Sequence, residues 1–209
     1  MSFDIDSLKQ QIPHYLTAED QKILVEELRI ISKGGEANYF LSDHNNEFAA
    51  DMLQGDGWRG FKIYRFDKND LQSISGLVLS NSCDIDPNNR RDTPTRITFV
   101  PLVKLSTFES VLRKNGLKDN IIKEKMSAIR AQKITTIFFL PSGGPLTDDY
   151  IARFDEAHSI PWNTHNESEG REKLFTLNNT GFYMLVLKLS VHFCRLQEKV
   201  NRSAKIASA

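Results

Sequence analysis

The 209-residue chain is poor in the residues that build cross-linked or membrane-embedded proteins. Its two cysteines, Cys83 and Cys194, are too few for a disulfide framework or a four-thiolate zinc site. It has no apolar run long enough to cross a hydrocarbon core of about 30 Å. Residues 1–11 lack the basic start and unbroken apolar run of a secretory signal. We therefore expect a cytoplasmic protein that has no membrane partner.

Neither sign of charge is in excess, because 27 lysines and arginines balance 27 aspartates and glutamates. Such a chain has no global field that attracts nucleic acid, so any binding of RNA or DNA must come from local clusters of cations. The remaining composition, 40% hydrophobic and 26% charged, is typical of a globular protein. The length predicts a single domain over residues 1–209.

Motifs for cofactors and metals are also missing. The close glycines of residues 55–60 lack the following helix and the lysine–serine or lysine–threonine pair of a phosphate-binding loop. Short pairs of an acid and a histidine occur, but none has the spacing of a helical zinc motif. These pairs are Asp43 with His44, Asp155 with His158, and His165 with Glu167. The sequence therefore predicts no cofactor and no metal.

Helical periodicity is clear towards both ends of the chain. Thr17 is a good N-cap and the glycine pair at 34–35 is a good stop, so we expect an N-terminal helix over residues 18–32. Later in the chain, apolar residues recur every three or four positions, which predicts a long helix over residues 179–202. The recurring residues are Phe182, Leu185, Leu189, Phe193, Leu196 and Val200.

Between these helices the apolar residues follow the patterns of strands. The predicted strands cover residues 61–64, 76–79, 97–100 and 134–140. The third is expected to end at Pro101, and one helical segment, over about residues 107–133, interrupts the series. A parallel sheet needs a crossover helix for every strand, so the pattern predicts an α+β fold with a small antiparallel sheet or SH3-like barrel. This core spans about residues 55–145, flanked by the two helices.

The loop after the second predicted strand carries the strongest candidates for chemistry, because strand ends commonly present functional groups. We select Cys83 and Asp84 as candidate catalytic residues. A thiol nucleophile here needs a histidine from elsewhere, since the neighbouring carboxylate disfavours the thiolate. The alternative is that Cys83 is a small buried hydrophobe and that Asp84 accepts hydrogen bonds from turn amides.

Three arginines, Arg90, Arg91 and Arg96, lie close to the start of the next strand. Guanidinium groups in such a position are suited to bind phosphate through paired hydrogen bonds. The alternative is that the nearby acids neutralise them in a solvated loop. These acids are Asp84, Asp86 and Asp92.

A second set of cations runs beside the apolar stripe of the C-terminal helix. It consists of Lys188, His192, Arg195, Lys199 and Arg202, spaced for one helix face. One interpretation is a binding surface for RNA, DNA or an acidic protein, and the other is the solvated flank of an amphipathic helix. Trp58, with Arg59, Lys62 and Arg65, is predicted to extend this surface with a ring on which bases stack.

Three short segments stand out within about residues 55–104, namely residues 60–64 (GFKIY), 76–81 (GLVLSN) and 96–103 (RITFVPLV). In this order they resemble the core of the MazF/PemK family of bacterial toxins. The resemblance implies an SH3-like barrel, a toxin–antitoxin ancestry in a bacterium, and contact with RNA.

The sequence departs from this family at the positions expected to be catalytic. The arginine–proline pair of the family is replaced by Ser75 and Gly76, and the serine or threonine after its proline-ending strand by Val103 and Lys104. We therefore do not expect ribonuclease activity by the mechanism of the family.

Three functional hypotheses follow. The first is a toxin-like protein that binds nucleic acid through Arg90, Arg91, Arg96, Lys188, Arg195, Lys199 and Arg202. The second is a non-catalytic interaction module, whose basic helix binds an acidic protein or a second copy of the chain. The third is a hydrolase or nuclease in which Asp84 acts with an unidentified histidine, either alone or together with a divalent metal ion.

Overall fold

The computed structural model describes residues 22, 25–27, 29–30, 38–42, 48–89 and 92–193. The described residues of the predicted N-terminal helix, 22, 25–27 and 29–30, are helical. The rest of that prediction, with the glycine pair at 34–35, lies outside the described residues. The C-terminal helix begins at Asn179, as predicted, and is described as far as Phe193.

Seven strands form one antiparallel sheet. They are β1 Gly57–Arg65, β2 Asp70–Val78, β3 Arg96–Lys104, β4 Ile137–Leu140, β5 Tyr150–Arg153, β6 His158–Pro161 and β7 Glu172–Phe175. Their order is β4-β5-β3-β2-β1-β7, with β6 also paired to β3. The α+β class with an antiparallel sheet is therefore confirmed. Among the described strands β4 and β7 lie at opposite ends of an open sheet, so closure into an SH3-like barrel is not confirmed.

The first three strands are longer than the apolar runs that predict them, whereas β4 is shorter than the predicted 134–140, and β5, β6 and β7 lie beyond the predicted core of residues 55–145. β1 begins at Gly57 and its register with β2 shifts between Trp58 and Phe61. Gly60, inside this shift, has a φ of +90° and lies against the backbone of Arg171, so it accommodates a bulge that a side chain would obstruct.

The central strand β3 does not end at Pro101, contrary to the prediction, but continues to Lys104. Pro101 is instead where the pairing with β2 ends, opposite Gly76, because proline has no N–H to donate to the ladder. On its other edge β3 pairs with β6 over its first half and with β5 over its last three residues. The 3₁₀ turn Phe154–Glu156 lies between these two partner strands.

The helices are short, except for the last. They are α1 Ser82–Ile85, α2 Leu105–Lys114, α3 Asp119–Arg130, α4 Trp162–Asn166 and α5 Asn179–Phe193. The single helix predicted over about residues 107–133 is two helices, α2 and α3. The break falls at Gly116, whose φ of +78° belongs to the left-handed region that glycine enters without a steric penalty.

Helix α5 packs its first turns into the main core of the sheet. Leu185 is fully buried there, and Met184 is buried beside it. The predicted apolar stripe leaves the core further along, because Leu189 is only partly buried and Phe193 is 64% exposed. No helix among the described residues has both the length and the apolar character that a membrane span requires.

Candidate functional site

A cavity of about 670 Å³ opens where β2 ends and β3 begins. Its polar lining comes from two segments, residues 80–84 after β2 and residues 93–98 at the start of β3. The polar lining residues are Ser80, Asp84, Thr93, Thr95, Arg96 and Thr98. The volume falls in the range of ligand sites, about 300–1,000 Å³. Two residues selected from the sequence, Asp84 and Arg96, are therefore brought to one cavity.

The floor of the cavity is held by hydrogen bonds beyond the end of the β2–β3 ladder. The N–H groups of Leu79 and Ser80 both donate to the carbonyl of Thr98, at 2.8 and 3.2 Å. The Ser80 hydroxyl accepts the N–H of Thr98 at 2.8 Å. Since this oxygen completes the backbone pairing, Ser80 is a structural residue, and the edge of the cavity is rigid.

The loop that carries Cys83 and Asp84 is fixed in a similar way. The side chain of Asn81 caps α1 by accepting the N–H of Cys83 at 3.0 Å. Ser82 accepts the N–H of Gln54 at 2.9 Å, and the Gln54 amide donates to the carbonyl of Leu79 at 2.8 Å. Side-chain bonds therefore hold the four-residue helix α1 against the end of β2.

Asp84 lines the cavity, whereas Cys83 is exposed beside it. The prediction that Cys83 is a small buried hydrophobe is therefore wrong. Asn81 and Asp86 of this loop both accept backbone N–H groups, from Cys83 and Asn88, and the turn role of Asp84 stays a prediction. No histidine is among the residues that line the cavity in the described part of the chain.

Arg96 is exposed at the first position of β3 and is oriented by the neighbouring strand β6. Its Nε donates to the Ser159 hydroxyl at 3.1 Å, and its Nη2 donates to the Ser159 carbonyl at 2.7 Å. A guanidinium group has five N–H donors, so these two bonds hold the group in place and leave further donors for a ligand. A cation held in this way is suited to bind a phosphate or carboxylate.

An apolar wall completes the cavity. Leu189 and Phe193 of α5 contribute to it, together with Leu79, Pro94 and Ala157. Phe193, which is 64% exposed, and Leu189 thus add apolar surface to a cavity that Arg96 and several hydroxyl-bearing residues also line. Both residues belong to the apolar stripe that predicts a core face, and their position at the cavity was not predicted.

Lys188 does not lie on an exposed basic face, and that prediction is wrong. The residue is 1% exposed, and its ammonium group donates to the carbonyls of Gln132 and Ile134 at 2.9 and 2.8 Å. Burial lowers the pKa of Lys188 to about 7. A phosphate in solvent cannot reach this group.

Of the other predicted cations, His192 is partly buried, with its ring centroid 5.6 Å from that of Phe154, and five lie outside the described residues. These are Arg90, Arg91, Arg195, Lys199 and Arg202. Their contribution to a basic surface stays a prediction.

Trp58 is not available as a stacking surface for bases, contrary to the prediction. Its side chain is 3% exposed and is covered by Arg171 and Lys173, which lie 4.6 and 5.3 Å from the ring centroid. Of the cations grouped with it, Arg59 pairs with Glu172 and Arg65 pairs with Asp67. The aromatic surface near the candidate site is Phe193 instead.

The histidine of this region, His165, is also internal. It is 1% exposed, its Nε2 lies 3.0 Å from the carbonyl of Arg59, and its ring packs against Phe61. Burial lowers the pKa of His165 to about 4. At neutral pH it is an uncharged core residue.

The threonine-rich segment before β3 is the part of the site that sequence reasoning missed. Thr93, Thr95 and Thr98 line the cavity with hydroxyl groups beside Arg96. A signal is present, because the sequence TPTR of residues 93–96 places hydroxyls and a cation at a strand start. That pattern alone does not predict that Asp84 and helix α5 lie at the same cavity.

No model of a protein family matches the chain, and neither does any curated protein. In the described part of the chain, no three histidine, cysteine, aspartate or glutamate side chains converge as ligands for a metal ion. The site is therefore interpreted from its own chemistry.

Proposed function

We propose that the protein binds single-stranded nucleic acid, RNA in preference to DNA, in the cavity between β2, β3 and α5. The observation that carries the proposal is the combination of an oriented guanidinium, several hydroxyls and an exposed aromatic ring around one open cavity. Single-stranded chains are bound by this chemistry, in which cations contact the phosphates and aromatic rings stack on the bases.

The proposed arrangement assigns a role to each wall of the cavity. Arg96 binds a phosphate through the donors that Ser159 does not use. A base packs on Phe193 and Leu189, which form the apolar wall. Asp84 is an acceptor and is poorly suited to a phosphate, so we assign it to a ribose hydroxyl. This assignment is the reason for preferring RNA, because the 2′-hydroxyl distinguishes the two polymers.

The resemblance of residues 55–104 to the MazF/PemK toxins agrees with this proposal, and we extend it to a toxin-like bacterial origin. The proposal is for binding without cleavage, since the residues expected to be catalytic in that family are replaced at 75–76 and 103–104.

Fluorescence anisotropy with short labelled RNA and DNA of the same sequence tests the proposal. We expect Arg96→Gln to weaken RNA binding by about 1–3 kcal/mol, or roughly 5- to 150-fold, because a phosphate contact is lost. The slope of log affinity against log salt concentration is expected to decrease by about 0.7 for that one contact. Asp84→Asn is expected to reduce the preference for RNA over DNA.

Arg113→Gln is the matched control. Arg113 is an exposed arginine on α2, paired with Glu109 and Asp119 and remote from the cavity lining. The substitution removes the same charge as Arg96→Gln, and we expect it to leave the affinity for RNA unchanged. Equal binding by wild type and Arg96→Gln contradicts the proposal. RNA integrity is also scored on a gel with and without Mg²⁺. If the RNA is degraded, the nuclease hypothesis replaces the proposal of binding without cleavage.

A further inference from the structure

The outer half of the β1–β2 hairpin extends beyond the rest of the sheet. β7 pairs with β1 only at residues 57–59, and β3 pairs with β2 only at residues 76–78. The hairpin itself continues to the pair formed by Arg65 and Asp70. In the described part of the chain, both outer edges of the hairpin therefore lack a strand partner over its last five residues or more.

One face of this extension is unusually apolar for a surface. Tyr64 and Leu71 are opposite each other in the register, so their side chains share a face. Phe66, in the turn, packs its ring at 5.0 Å from that of Tyr64. Leu71 is 61% exposed and Phe66 is 89% exposed. Large apolar side chains grouped in this way mark a surface that another molecule covers.

The two free edges differ in charge. Along β1 the edge carries Lys62 and Arg65, and lysine and arginine on an edge oppose the addition of a strand. Along β2, residues 71–75 (LQSIS) are five consecutive uncharged residues. The β2 edge is therefore the one that lacks protection against pairing.

We infer that two copies of the chain associate through the β2 edges, residues 71–75 pairing antiparallel about a two-fold axis. In such a pair centred on Ser73, Leu71 of one copy faces Ser75 of the other, and Gln72 faces Ile74. No like charges are opposed in this register. A two-fold arrangement is the commonest for identical chains.

The overall charge also favours a second copy as the occupant. The chain carries zero formal net charge, so two copies do not repel each other at neutral pH, and a chain with no net charge associates readily. The local charges point away from nucleic acid as the occupant, because Asp67 and Asp70 accompany the cations of the hairpin. A five-residue strand pair is smaller than a standard interface, so we expect a dimer in reversible exchange with the monomer.

This surface is separate from the proposed binding cavity. The cavity adjoins the end of β2, and the hairpin turn adjoins its beginning. Nine residues of strand separate these ends, about 30 Å of extended chain. Association through the β2 edge does not depend on the proposed nucleic-acid binding.

Light scattering coupled to size exclusion, over a range of concentrations, tests the inference on the full chain. We expect the mass to rise towards that of a dimer with concentration, and Ser73→Lys to weaken the dimer at least about tenfold because it places two cations at the centre of the interface. Ser73 is exposed, so the hairpin accommodates the substitution. Ser127→Lys makes the same change on an exposed position of α3 and is expected to leave the dimer unchanged.

Hydrogen exchange on the wild-type chain gives a second readout that needs no variant. The amides of residues 71–75 are expected to exchange more slowly as the concentration rises, while the amides of the β1 edge do not change. A mass that stays monomeric at high micromolar concentration overturns the inference. A dimer that Ser73→Lys does not weaken, or protection confined to another segment, overturns it as well.

Discussion

Arg96 at the rim of the cavity and Lys188 in the interior are cations in very different environments, although the sequence predicts both as exposed binding residues. Arg96 lies at the rim, where it is exposed and oriented by Ser159, and the bonds to Ser159 use only part of its guanidinium N–H donors. Lys188 lies inside, where its ammonium group joins α5 to the segment between α3 and β4. The same helix serves both regions, since Leu189, the next residue, lines the cavity. One step of about 100° around a helix therefore separates a structural position from a candidate binding position.

The interior region is a closed set of hydrogen bonds. Gln132, which has a positive φ of 56°, forms two hydrogen bonds with the backbone of Phe139. The Gln132 Nε2 donates to the Phe139 carbonyl at 2.7 Å, and the Gln132 Oε1 accepts the Phe139 N–H at 3.1 Å. Its own carbonyl accepts from Lys188. Buried polar groups are stable only when they are paired in this way. The comparison thus predicts that substitutions in the interior affect folding and that substitutions at the rim affect binding.

The largest effect is expected for Lys188→Ala. Two buried carbonyls lose their donor and a cavity replaces the side chain, so the free energy of unfolding should fall by roughly 2–4 kcal/mol. Urea denaturation measures this change. Lys133→Ala, at an exposed lysine in the same segment, is the control and should change stability by less than about 0.5 kcal/mol. Similar losses for both variants would show that Lys188 is not a structural cation.

The next largest effect is on the pH dependence of stability. Because the pKa of Lys188 is about 7 in the folded chain and about 10.4 for an unperturbed lysine, the unfolded chain binds the extra proton between these values. Raising the pH from 7 to 9 should therefore stabilise the folded state through this group alone, with a slope of about 0.7 kcal/mol per pH unit at pH 7 that approaches about 1.4 above pH 8. Well below pH 7 both the folded and the unfolded chain bind the proton, so the free energy of unfolding no longer changes with pH through this group.

This contribution is isolated by comparison with Lys188→Met, which has no titrating group at the position. Urea denaturation of both chains at several pH values cancels the titration of all other groups. We expect the difference in stability between wild type and variant to change along this slope. A difference that is constant with pH would contradict a lysine that loses its proton in the folded chain near neutrality.

The smallest effects on stability are expected at the rim. Arg96→Gln and Asp84→Asn alter exposed residues and should each change the free energy of unfolding by less than about 0.5 kcal/mol. The same urea denaturation measures this. A large loss in Asp84→Asn would instead assign Asp84 a structural role in its loop, and would remove it from the candidate binding site.

The predictable parts of the fold are those in which local pattern and tertiary environment agree. The apolar runs around Leu77 and Phe99 are buried strands, and the first turns of α5 bury Leu185 as the spacing indicates. The bounds were less predictable. Pro101 has no N–H to donate to the sheet, yet β3 continues past it because β5 pairs with the opposite edge of the strand. Gly116 divides the long helical segment into α2 and α3.

The candidate site was predictable in its residues and not in its assembly. Asp84 and Arg96 stand out because each is polar at the edge of an apolar run, and both line the cavity. Phe193 did not stand out, because its spacing is that of a core residue. Lys188 was misassigned for the opposite reason, since a lysine among apolar residues suggests a solvated flank, and burial of its charge requires carbonyls from another segment.

The amino-acid sequence by itself determined the α+β class, the neutral charge, the main strands and the start of the last helix, because these depend on composition and on periods of two and 3.6 residues. Only the tertiary structure decided which face of α5 meets the sheet and which strand ends share a cavity. It also decided which hairpin edge lacks a partner. These features depend on contacts between residues distant in the chain, and no local period encodes them.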